Sequence, residues 1–132
     1  PEFDIAEERC HVITDFVRSA KNSACINMRT SGREKRQFLY VEDCCEALVT
    51  LSNIYNSVDR SEQLHISSFE WTSIEQVARI ISNIYSCEYT KGQEKDVVQL
   101  NLQYEPDKNI LKYWQPKTSL LDGIRKICSH YN

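Results

Sequence analysis

One short turn concentrates the residues best suited to chemistry. Gly32-Arg33-Glu34-Lys35-Arg36 sets three cations behind a glycine, and an apolar-rich run, Gln37-Phe38-Leu39-Tyr40-Val41, follows. Glu42 and Asp43 then open an amphipathic stretch through Glu46-Ala47-Leu48-Val49-Thr50-Leu51. Turn, strand, acidic cap and helix form a unit able to hold an anion at one end and pack on a sheet at the other. Arg36 is the residue for that anion, because its guanidinium is always charged and its planar fork matches phosphate oxygens. The alternative for Arg36 is a surface ion pair with Glu34 or Glu42. Arg33 and Lys35 read as solvated turn residues. His11 stands at a helix start, where a chemical role and an oriented surface histidine are both compatible with its position.

Metal and disulfide chemistry find little support. The six cysteines, Cys10, Cys25, Cys44, Cys45, Cys87 and Cys128, are irregularly spaced and contain no CxxC. They read as reduced, mostly packed thiols of a reducing compartment, and the expected location is cytoplasmic. His11, His65 and His130 are scattered and do not form a zinc cluster. The net charge of -3 gives no general reason to expect nucleic acid or an anionic membrane as partner. No apolar run is long enough to span a bilayer, and the acidic first residues lack the apolar core of a signal peptide. Pro1-Glu2-Phe3 is either native or left from a cloning linker.

The elements that must position these residues alternate. Val12, Ile13, Phe16, Val17 and Ala20 make a helical stripe ended by Asn22-Ser23. Cys25 to Met28 is a short strand, followed by the turn Thr30-Ser31-Gly32 and a strand at Phe38–Val41. The second helix starts near Glu42 or Asp43 and buries Ala47, Leu48, Leu51, Ile54 and Tyr55. Gln63 to Ser68 alternates and reads as a strand centred on Leu64–Ile66. Thr72 or Ser73 caps a third helix with Ile74, Val77, Ala78, Ile81, Ile84 and Tyr85 inward. Cys87 to Lys91 is a further strand candidate, and Asp96 to Leu102 reads as a strand or an extended loop. Glu105-Pro106 starts a short helix running to about Tyr113. Ser119 or Thr118 caps a last helix from Leu120 to about His130, with Leu121, Ile124, Ile127 and Cys128 inward. At 132 residues, with 41% hydrophobic and 27% charged content, this is one globular α/β domain, residues 1–132. It has a small sheet of three or four short strands and about five helices.

The ordered motifs resemble one family, the nucleotide-sugar epimerases and dehydratases of the extended short-chain dehydrogenase/reductases. Gly32, Arg36, Phe38 and Asp43 match its Gly, Arg, aromatic and strand-ending Asp. His11-Val12-Ile13 matches its His-Val-Ile-Pro, with Thr14 in place of proline. Gln93-Glu94-Lys95-Asp96-Val97 lies where the family shows Arg-Pro-Gly-Asp-Val, and Glu105-Pro106-Asp107-Lys108 where it shows Asp-Pro-Ser-Lys. Tyr113-Trp114-Gln115-Pro116-Lys117-Thr118-Ser119-Leu120 with Asp122-Gly123-Ile124 resembles its closing Gly-Trp-x-Pro-Lys-Thr-Ser-Leu-x-x-Gly-Ile.

The resemblance implies the substrate-binding C-terminal lobe of a longer NAD(P)-dependent enzyme, lacking its N-terminal Rossmann half. That half carries the glycine fingerprint and the Tyr-x-x-x-Lys pair. The three glycines here build no fingerprint, and Tyr104 with Lys108 is only a spacing match within the Glu-Pro-Asp-Lys segment. The expectation is therefore no cofactor bound by this chain, no catalytic residue, and a UDP-, GDP- or dTDP-sugar as ligand. On this resemblance Arg36 contacts the diphosphate, Asp96 the nucleotide ribose, and Arg29 stacks on the base. Gln93 replaces a second diphosphate arginine, a loss of about 1–3 kcal/mol unless Lys91 or Lys95 compensates. His65-Ile66-Ser67 replaces the family's Asn-Ile-Gly. Phe69 and Trp71, flanking Glu70, either line a sugar pocket or plug the gap between strand and helix. Trp114 reads as core, and Asp122 with Lys126 as a surface pair. The departures at Gln93 and His65 keep open an alternative, a catalytically silent regulatory or protein-binding relative; a plain structural domain with a solvated basic turn is a third. Without its Rossmann half, the strands at Phe38–Val41 and Leu64–Ile66 are expected to present unpaired edges and apolar faces, giving self-association or a mobile region there.

Overall fold

The computed structural model describes residues 11–95 and 104–131. Residues 1–3, Cys10, Asp96 and the extended stretch expected to Leu102 lie largely or wholly outside them. The described elements are α1 (Val12–Ser23), β1 (Cys25–Asn27), β2 (Lys35–Gln37), α2 (Val41–Asn53), β3 (Trp71–Ser73), α3 (Ile74–Tyr85), β4 (Glu88–Thr90) and α4 (Leu120–Tyr131). Short 3-10 turns occupy Tyr55–Ser57 and Asn109–Lys112. The class is α/β, with four α-helices among the described residues.

The main core follows the helical stripes. Phe16, Val17 and Ala20 of α1 meet Val77, Ala78 and Ile81 of α3, with Ile26 and Met28 beneath and Ile124 and Cys128 of α4 closing the end. Helix α3 begins where Ser73 Oγ accepts the Gln76 N–H at 3.1 Å, so Ser73 rather than Thr72 is the cap. It ends at Ser86, in left-handed backbone at φ 52°. Helix α1 stops the same way at Ala24, φ 50°. Ser119 caps α4 by accepting the Asp122 N–H at 3.1 Å, and Ile124 and Cys128 are buried, but Leu121, expected inward, is exposed. Burial raises the pKa of the Cys87 and Cys128 thiols, which keeps them protonated and inert.

The single small sheet expected from the sequence is replaced by two separate ladders. β1 and β4 pair in parallel, with Ile26 opposite Tyr89. β2 and β3 pair antiparallel, with Arg36 opposite Thr72. The predicted strand at Phe38–Val41 does not form; the ladder lies just before it, and Val41 is already helical. Phe38 packs on the main core while Leu39 packs on a second cluster built around Ala47, Ile110 and Trp114. The apolar run therefore bridges two cores, and its hydrophobicity reports burial rather than strand pairing. Leu64 and Ile66 also pack on the second cluster without joining a strand. Between them His65 Nδ1 accepts the Asp107 N–H at 2.8 Å. That contact, with Trp71 Nε1 donating to Glu105 at 2.6 Å, holds the Glu105–Asp107 segment irregular. Only the 3-10 turn at Asn109–Lys112 remains of the helix expected there.

Helix α2 also departs from its predicted face. Ala47 is buried and Leu51 half-buried, but Leu48 and Tyr55 are exposed. What fixes the helix is Asp43. Its carboxylate accepts from the Thr118 N–H at 2.8 Å, the Thr118 hydroxyl at 2.9 Å and the Lys117 N–H at 3.0 Å. The side chain is buried, and burial alone would raise its pKa. The three hydrogen bonds and the nearby Lys126 charge outweigh that and hold it below the usual carboxylate range. A depressed folded pKa stabilises the fold above the unfolded value, near 3.9, and the contribution is lost as pH falls through the folded value. Asp43→Asn should cost about 1–3 kcal/mol at pH 7, because it turns an amide toward donors. Chemical denaturation at pH 7 and near pH 2 checks this: the difference between wild type and variant should shrink in acid.

Candidate functional site

A cleft of about 650 Å³ opens between the start of α1, the segment after β1, and β2. That volume suits a small organic ligand. Its apolar floor includes Ile13, Phe16, Met28, Phe38 and Ile74. Its polar wall includes His11, Asp15, Asn27, Arg29, Thr30, Glu34 and Arg36. Mixed charges over an apolar floor fit a ligand with an anionic part and a ring.

The wall is shaped by backbone. Gly32 is in left-handed conformation, φ 74°, and a Cβ there would fall 2.9 Å from Glu75. Its carbonyl accepts the Glu75 N–H at 2.9 Å, while the Glu34 carbonyl accepts the Ile74 N–H at 3.0 Å. The basic turn is thus pinned to the start of α3. Within it, the Thr30 hydroxyl donates to the Glu34 carboxylate and accepts the Gly32 N–H at 3.1 Å. On the far side, Gly92 N–H donates to the Thr30 carbonyl at 2.9 Å and Glu94 N–H to the Arg29 carbonyl at 3.1 Å. A Cβ on Gly92 would lie 1.9 Å from the Arg29 carbonyl oxygen. Only glycine allows that approach.

The structure brings three of the five sequence candidates together. Arg36 lies in β2, half-buried, and lines the cleft; its Nη1 also donates to the Lys35 carbonyl at 3.0 Å. Arg29 is exposed on the same wall, and His11, at the cap of α1, borders the opening. Gln93 is exposed beside Gly92 and is not among the lining residues. Asp96 lies outside the described residues. Lys91, a suggested substitute for the lost arginine, pairs with Glu75 at 2.7 Å. That hydrogen bond, against a smaller burial effect, holds the Glu75 carboxyl below its usual range.

Other expected roles resolve structurally. Phe69 packs on the second cluster, as a plug, and Trp114 is buried there. Lys126 does not pair with Asp122; it reaches Glu42 at 3.2 Å and lies 4.6 Å from the Tyr40 ring centre, while Asp122 meets Arg125 at 3.6 Å. Asp15, Asn27, Thr30 and Glu34 were not singled out for the cleft. The fourfold spacing of His11 and Asp15 on one helix face was the available signal for one of them. Asn27 and Thr30 carried none, since only strand pairing fixes which way they face.

A sequence model described as the NAD dependent epimerase/dehydratase family matches residues 1–67. The chain belongs to this family. Among curated relatives, a GDP-L-fucose synthase of Sinorhizobium fredii is 29% identical over 123 residues, covering 88% of this chain and 38% of its own length. An epimerase structure from Methanothermobacter thermautotrophicus superposes with a TM-score of 0.73 at 22% identity, over 92% of this chain and 37% of that one. An ADP-L-glycero-D-manno-heptose-6-epimerase of Helicobacter pylori gives a TM-score of 0.75 at 18% identity, over 94% and 38%. This epimerase/dehydratase family chain thus spans under two-fifths of the length of these relatives. The Gly32–Asp43 motif supplies Glu34, Arg36 and Phe38 to the cleft and, through Asp43, the contact with Lys117 and Thr118 of the closing motif.

Gly92→Ala should displace the Arg29 carbonyl and open this wall. Amide exchange at Glu94 and Gly92 should quicken, with a loss of stability of about 1–3 kcal/mol. Unchanged protection at Glu94 would show that the close approach is not needed.

Proposed function

We propose that this chain is the nucleotide-sugar-binding part of an NAD(P)-dependent epimerase or dehydratase. It supplies contacts to a nucleoside diphosphate sugar and no proton or hydride transfer of its own. The observation that carries the reading is the cleft, where Arg36 and Arg29 stand over an apolar floor. Arg36 grips the diphosphate, since a guanidinium fork suits paired phosphate oxygens. Arg29 lies against the base, and the sugar occupies the apolar floor near Phe38. His11 borders the ligand from α1. Gln93 and Asp96 belong to the same reading as second-side contacts, supported by their place in the family motif. The NAD(P) and the proton-transferring pair belong to the portion of the relatives that this chain does not span. A cytoplasmic setting is part of the reading, supported by Cys25, Cys44, Cys45, Cys87 and Cys128 all being free thiols. No described helix is long and apolar enough to cross a membrane.

The same reading names a partner for α2. Val41, Leu48 and Val49 are 65%, 56% and 60% exposed, and Cys45 is exposed between them. Val41, Cys45 and Leu48 fall on one helical face by their spacing. The second cluster beneath α2 is small, with Ala47, Ile110 and Trp114 as its buried members. The remaining half of the longer enzyme covers this face. Alone, the chain covers it by self-association.

Two measurements test these points. Titrating the chain with UDP-, GDP-, dTDP- and ADP-sugars should show saturable binding to at least one, weakened about tenfold or more by Arg36→Ala. Absence of binding to all four would sink the reading. In sedimentation experiments the wild type should associate as concentration rises, and Leu48→Glu should shift it to monomer. A strictly monomeric wild type would remove the case for an unsatisfied α2 face.

A further inference from the structure

We infer that the Arg29–Glu34 end of the cleft selects a guanine base over uracil or thymine. This rests on the nucleotide reading above and adds which base is read. Glu34 lines the cleft beside Arg29 and Thr30. One of its carboxylate oxygens accepts the Thr30 hydroxyl, which fixes the side chain's direction. Its other oxygen accepts no hydrogen bond from a described residue, and no described cation pairs with it. A positioned carboxylate is an acceptor only. It therefore favours a ring edge that presents donors and opposes one that presents carbonyls.

The bases differ sharply on that edge. Guanine offers two adjacent donors, the ring N1–H and the exocyclic amine, which a carboxylate can accept together. Uracil and thymine offer one ring N–H flanked by two carbonyls, so a carboxylate aimed there meets at least one oxygen lone pair. Adenine offers one amine next to a ring acceptor. Arg29 complements the same choice, because its guanidinium donates to the O6 and N7 acceptors on guanine's other edge or lies flat on the purine. Asn27 does not compete for the donors, since its side-chain oxygen already accepts both the Thr90 hydroxyl at 2.8 Å and the Cys25 thiol at 3.6 Å. A paired readout of this kind discriminates by about tenfold to a hundredfold.

Calorimetric titration of the 132-residue chain with GDP, UDP, dTDP and ADP tests the inference. GDP should bind about tenfold or more tighter than UDP and dTDP. Glu34→Gln should weaken GDP by about tenfold and leave UDP unchanged or improved, because an amide can donate to a uracil carbonyl. If the variant unfolds, the wild-type ranking alone decides. UDP or dTDP binding as tightly as GDP overturns the guanine choice while leaving the diphosphate site intact. Failure of all four to bind overturns both.

Discussion

The Asp43 carboxylate is the contact on which the arrangement of the two cores depends. Helix α2 sits on the smaller cluster of Ala47, Ile110 and Trp114. Helix α4 closes the main core through Ile124 and Cys128. Asp43, in the first turn of α2, holds the two N–H groups and the hydroxyl of the Lys117-Thr118 loop that leads into α4. The Lys117–Glu46 and Lys126–Glu42 pairs also join these units but are exposed and of little energetic weight. A buried carboxylate with three donors is costly to misplace, so it sets where α2 lies relative to α4. Gly123 lets the Tyr40 ring lie against α4 at the same junction, where a Cβ would fall 3.3 Å from it.

The cleft depends on a different device, the close approach of backbone at two glycines. Gly32 lets the basic turn dock on the start of α3, and Gly92 lets the segment after β4 lie on the Arg29 carbonyl. With both sides of the Arg29–Thr30 segment bonded, the cations beside it are presented from a fixed frame. A ligand then pays less ordering entropy than it would on a free loop. The Thr30–Glu34 hydrogen bond places an acceptor in the same frame. Charge and shape at that wall therefore come from one set of contacts.

The uneven burial of the helices has a physical meaning of its own. α1 and α3 bury most of their predicted stripes against each other, since these faces find partners within this chain, while Ile84 of α3, expected inward, is 37% exposed. α2 has the pattern of a buried helix, yet leaves Val41, Leu48 and Val49 open. Its sequence is written for more contacts than the described residues supply. The same holds for Leu64 and Ile66, whose alternation suits a strand but which stay half-buried without one.

The residues alone settled the class, most of the α1, α3 and α4 stripes, β1 and β4, and the family, and they narrowed the caps of α3 and α4 to Thr72 or Ser73 and Thr118 or Ser119. These are local or near-local properties: a helical stripe, a serine before a turn and an ordered motif are legible without knowing any long-range neighbour. Arg36 stands out as a candidate for an anion because a guanidinium fork suits phosphate, whereas Arg29 enters only through the family resemblance, as a residue stacked on the base. Tertiary structure decided what the apolar run at Phe38–Tyr40 does, because Phe38 and Leu39 belong to different cores. It decided that His65 and Glu105 spend their side chains holding an irregular segment, that Lys126 reaches Glu42, and that Gln93 stays outside the cleft. It also supplied the role of Asp43, whose partners lie 74 and 75 residues away. Strand pairing, clefts and buried carboxylates require partners distant in the chain, and spacing along a sequence does not reveal which distant residues meet.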